Sequence, residues 1–65
     1  MKNERTIKVI KEYIEKQGGP VKEKRIMDHC EDAIRFFSSN KVRGVLQHTP
    51  EAFKQVGDRV WDLAN

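Results

Sequence analysis

Ser39-Asn40-Lys41-Val42-Arg43-Gly44-Val45-Leu46-Gln47-His48 runs through Thr49-Pro50-Glu51 into Ala52-Phe53-Lys54-Gln55-Val56-Gly57-Asp58-Arg59-Val60-Trp61-Asp62-Leu63, and this stretch decides the fold. Its first part spaces Val42, Val45 and Leu46 at the three- and four-residue intervals of a helix face, predicting a helix over 39–48. Ser38-Ser39-Asn40 is its start signal, because a hydroxyl or amide there satisfies backbone N–H groups that lack a partner. Asn40 suits that capping role as well as an outward one. With the apolar side turned inward, Asn40, Lys41, Arg43, Gly44, Gln47 and His48 face outward. The second part reads as two short strands over 51–64, hinged at Gly57-Asp58, a pair suited to a tight two-residue turn with positive φ. Phe53, Val56, Trp61 and Leu63 are the expected buried set, and Lys54, Gln55 and Arg59 are expected at the hairpin tip.

Upstream, residues 3–17 read as a helix. Ile7, Ile10 and Ile14 form one stripe with Val9 and Tyr13 at its flanks. Asn3 or Thr6 is the candidate cap. Glu4 in the first turn and Lys16 in the last suit the helix dipole. Gly18-Gly19 accepts the left-handed conformation that closes a helix, and Pro20 prevents resumption. Val21 follows as a short extended bridge into the core.

A second helix starts near Lys22, with Ile26, Cys30, Ala33, Ile34 and Phe37 at helical spacing. The pattern fits one helix over 22–36 or two broken near Glu31-Asp32. Phe36 and Phe37 are adjacent, so one narrow helical stripe does not bury both. Either one is an exposed anchor for a partner, or both pack where the helix ends.

Sixty-five residues make one domain with a small core. At 37% apolar and 35% charged residues, the chain is too apolar for a disordered tail and too charged for a membrane protein. No apolar run approaches the length of a bilayer span, and the charged start leads into no apolar signal core. A cytoplasmic chain is expected. Met1 and the lack of a tail set the expectation of a complete small protein of the kind a phage, bacterium or mobile element encodes.

The net charge of +3 concerns partners rather than fold, and its distribution concerns them more. Residues 1–32 mix eight Lys/Arg with seven Asp/Glu, whereas 33–50 hold no acid at all and carry Arg35, Lys41, Arg43 and His48. The cations of the third helix are therefore not neutralised in sequence. Arginine can grip a guanine edge bidentately, lysine can hold a phosphate, and Asn40 or Gln47 can pair with adenine.

The run Ser39-x-x-Val42-x-x-x-Leu46, Pro50, then Phe53-x-x-Val56-Gly57-x-x-x-Trp61-x-Leu63, resembles winged helix-turn-helix domains. It is similar above all to the subgroup whose wing carries Phe-x-x-Val-Gly and then aromatic-x-Leu. That subgroup occurs in modules associated with bacterial RNA polymerase, chromatin or restriction. Ile7, Ile10, Ile14 and Gly19-Pro20-Val21 extend the likeness forward, and the stretch from Lys22 to Phe37 departs from it. The resemblance implies an α+β fold of three helices with a C-terminal hairpin wing, to which the Gly-Pro-Val segment often adds a strand. It implies a recognition helix that brings Asn40, Lys41, Arg43, Gln47 and His48 to a DNA groove, with Lys54 and Arg59 of the wing at phosphates.

Other chemistries find little support. One cysteine, Cys30, forms no internal disulfide, and His29, Cys30 and His48 lack metal-ligand spacing. Gly18-Gly19 is not followed by the Lys-Ser/Thr of a phosphate loop. A catalytic pocket is not expected in so short a chain. Trp61 suits a core aromatic over the first helix better than a stacking platform for single strands. The expected role is double-stranded DNA binding by a small transcriptional regulator or architectural protein. Such a protein would be a homodimer or part of a larger assembly, with no cofactor, small-molecule ligand or membrane. The alternative is a protein–protein module, an adaptor or inhibitor of a polymerase, regulator or enzyme.

Overall fold

The computed structural model describes residues 3–64, so the expectation tied to Met1 lies outside it. Six elements follow in the order α1 (Glu4–Gln17), β1 (Val21–Lys22), α2 (Glu23–Ala33), α3 (Ser39–His48), β2 (Phe53–Gly57) and β3 (Val60–Leu63). The three helices and the antiparallel sheet β1-β3-β2 form an α+β helix-turn-helix with a C-terminal wing.

Local chemistry accounts for most of the boundaries. At the head of α1, Asn3 makes no side-chain cap, and Ile7 N–H donates to its carbonyl at 2.9 Å. Thr6 is no cap either; it lies buried inside the helix. Gly18 closes α1 at φ 78°, donating its N–H to the carbonyls of Ile14 and Glu15, where a Cβ would be strained. Pro20 then frees the chain for β1, and Val21 pairs with Trp61 and Lys22 with Val60.

The second helix is shorter than the expected span to 36, and it is unbroken at Glu31-Asp32. Ile34 is extended, and its N–H caps the helix by donating to the Cys30 carbonyl at 2.8 Å. Ending there resolves the Phe36-Phe37 conflict: Ile34 and Phe37 pack on the core while Phe36 is 84% exposed. α3 opens on Ser38, whose Oγ accepts from Lys41 N–H at 3.4 Å, so Ser38 supplies the cap and Asn40 stays exposed. Thr49 turns the chain into the hairpin by accepting from the N–H groups of Ala52 and Phe53.

The hairpin departs from expectation in its turn and in the burial of Val56. Its turn is Asp58-Arg59, since Gly57 already pairs with Val60, and the positive φ of 56° belongs to Arg59, not to Gly57 or Asp58. Val56 is 47% exposed rather than buried. Its odd separation from Phe53 puts the two on opposite faces of the strand, and the register slips between Gln55 and Gly57. The core is Ile10 and Ile14 of α1, Val21 of β1, Ile26 and Cys30 of α2, Val42, Val45 and Leu46 of α3, and Phe53 and Trp61 of the hairpin strands. Leu63 is half-buried at its margin.

Candidate nucleic-acid interface

Burying Val42, Val45 and Leu46 turns the rest of α3 outward, and Asn40, Lys41, Arg43, Gln47 and His48 are all exposed. They form two flanks. Asn40, Arg43 and Gln47 follow one another at three- and four-residue steps along one flank, whereas Lys41 and His48 lie two turns apart on the other. Between the flanks is Gly44, and nothing lies within 4 Å of where its Cβ would be. The middle of the face is open to close approach.

One flank meets the wing. Pairing β1 with β3 brings the head of α2 beside the hairpin turn, and Glu23 N–H donates to the Arg59 carbonyl at 2.7 Å. A cleft of about 500 Å³ results, lined by Lys22, Glu23, Lys24, Met27, Arg43, Asp58 and Arg59. A second cleft of about 250 Å³ adjoins it, and Arg43, Gln47, Gln55 and Arg59 line it over Glu23 and Trp61. Four cations and two carboxylates thus share the larger cleft, a net positive surface with acids set into it.

Of the seven residues expected at DNA, the fold brings together Arg43, Gln47 and Arg59. Lys41 and His48 are exposed but lie away from these clefts. Lys54 is not at the hairpin tip. It is the second residue of β2, roughly 13 Å from the turn at about 3.3 Å per residue, and sits opposite Asp62 on the sheet face away from Phe53. The acid-free window of the sequence is not acid-free in space, since Glu23 Oε2 stands 3.6 Å from Arg43 Nε and Asp58 adjoins Arg59. Lys22 and Lys24 were missed, although a strand before α2 paired to the wing carries both toward the turn.

His29 and Cys30 lie outside this site. His29 stacks on Tyr13 with ring centroids 4.3 Å apart. Cys30 is fully buried, and burial pushes its thiol up to about 11. Among the described residues no group of three His, Cys, Asp or Glu is placed to hold a metal ion. None of the described helices is long and apolar enough to cross a membrane. Comparison of the chain with protein-family models, with curated proteins and with solved structures finds no match.

Proposed function

We propose that this chain belongs with the winged helix-turn-helix proteins and binds double-stranded DNA. It lays α3 in a major groove and sets the wing turn and the head of α2 against flanking phosphates. A major groove about 12 Å wide admits a helix. The observation that carries the reading is the convergence of Lys22, Lys24, Arg43 and Arg59 on one cleft beside the open face of α3. A small regulator or architectural protein of the cytoplasm fits this binding role, and catalysis has no part in it. Few cations make a monomer a weak binder, so a homodimer or larger assembly supplies affinity.

Fluorescence anisotropy with a random-sequence duplex at several salt concentrations tests the reading. Contact with about four phosphates gives a log–log salt slope of roughly −3.6. Lys24→Ala with Arg59→Ala should flatten that slope by about 2, and Lys41→Ala with Arg43→Ala should weaken binding at α3. Lys54→Ala is the control with little effect. Absence of binding at low salt sinks the reading.

A second reading, a protein–protein module, has Phe36 in its favour. That ring is 84% exposed in the turn between α2 and α3, with the Arg35 guanidinium 5.5 Å from its centroid. It predicts no duplex binding, and a partner whose affinity falls on Phe36→Ala while folding is unchanged.

A further inference from the structure

Glu23 is set where a carboxylate is costly. Its side chain is 12% exposed, one oxygen accepts from Trp61 Nε1 at 3.1 Å, and the other stands 3.6 Å from Arg43 Nε. Taking a carboxylate out of water is unfavourable, and an ion pair with a half-exposed arginine returns little. Solubility does not call for such a group under the face of α3. Its geometry suits another task. Trp61 fixes the carboxylate, and its other oxygen faces Arg43 Nε as an ion pair. The Arg43 guanidinium makes no hydrogen bond among the described residues, and its N–H groups stay available.

We infer that Glu23 is a positioning residue that makes Arg43 a reader of guanine, an inference that rests on the DNA-binding reading above. A guanine edge offers O6 and N7 to two parallel N–H groups, which needs a guanidinium held in one orientation. Gly44 beside Arg43 puts no side chain in the way of the base edge. Gln47, one turn further along the same flank, adjoins the same cleft. The carboxylate also repels phosphate. It therefore turns Arg43 from the backbone, where arginine carries no sequence information, toward base edges.

In vitro selection from a random duplex pool, run on the wild-type chain, Glu23→Gln and Arg43→Lys, tests this. Glutamine keeps an acceptor for Trp61 and removes only the charge, and circular dichroism checks the fold. The wild-type chain should select a site with a fixed guanine. Glu23→Gln should lower the preference for that guanine roughly tenfold or more while tightening binding to random duplex. Arg43→Lys should lose the same preference. Glu23→Gln selecting the same guanine as strongly overturns the inference. So does a wild-type chain that binds duplex without sequence preference, and that result leaves DNA binding standing. A wild-type chain that binds no duplex overturns both.

Discussion

Trp61 Nε1 donates to Glu23 Oε1 across 3.1 Å, tying the central strand of the sheet to the first residue of α2. The link joins segments 38 residues apart and lies between the core and the cleft. Trp61→Phe keeps most of the ring but leaves the largely buried carboxylate without that donor. Hydrogen bonds to charged groups contribute about 1.5–3 kcal/mol, so urea unfolding should show a loss of about 1–3 kcal/mol. A change below about 0.3 kcal/mol would mean that water replaces the indole at no cost.

Arg59 holds a left-handed φ of 56° while its carbonyl receives Glu23 N–H. A residue with a Cβ is strained there by about 1–2 kcal/mol, and glycine is not. Arg59→Gly should therefore stabilise the fold by about 0.5–1 kcal/mol, a rise of a few degrees in Tm. The same variant should bind duplex DNA more weakly. Stability and binding moving together would show that the arginine is there for the turn and not for a partner.

Gly44 sits mid-helix with open space at its Cβ. Alanine there should add about 1 kcal/mol of stability from helix propensity. If DNA lies against α3, the added methyl should cost affinity at that contact. Calorimetry and anisotropy on one Gly44→Ala sample read both, and an unaltered affinity would move the docking face off Gly44.

Phe53 and Val56 separate core from surface on one strand. Phe53→Ala removes a ring that is 2% exposed and should cost about 3–5 kcal/mol, enough to unfold much of so small a domain. Val56→Thr should stay within about 0.5 kcal/mol. Equal losses in thermal melts would contradict the hairpin register.

The Cys30 thiol is raised from 9.0 to about 11 by burial. Its folded form holds the proton longer than the unfolded chain does. Below pH about 9 both states are protonated and nothing changes. Between about 9 and 11 the unfolded chain loses its proton first, so stability falls by up to roughly 1.4 kcal/mol per pH unit. Comparing urea midpoints of the wild type and Cys30→Ala across this range isolates the effect. The wild type should fall more steeply, and identical slopes would show that the thiol titrates normally.

Much of the framework was legible in the residues. The Ile7-Ile10-Ile14 stripe, the Gly18-Gly19-Pro20 stop and the Val42-Val45-Leu46 face are local signals, because helix period and backbone sterics act within a few residues. The hairpin was legible too, but its detail was not. Grouping Val56 with Phe53 runs against the alternation of a strand, and the turn falls one residue later than Gly57-Asp58 implies. The end of α2 depended on which of Phe36 and Phe37 the core would take, a choice made by packing and not by spacing.

The candidate site divides in the same way. The sequence by itself determined which residues of α3 face outward, since burying three apolar side chains leaves the others no choice. Only the tertiary structure decided which charges meet. Pairing of β1 with β3 carried Lys22, Glu23 and Lys24 to the wing turn, put Glu23 beneath Arg43, and left Lys54 on the far face of the sheet. Periodicity is a property of neighbours along the chain, whereas an electrostatic surface is a property of neighbours in space.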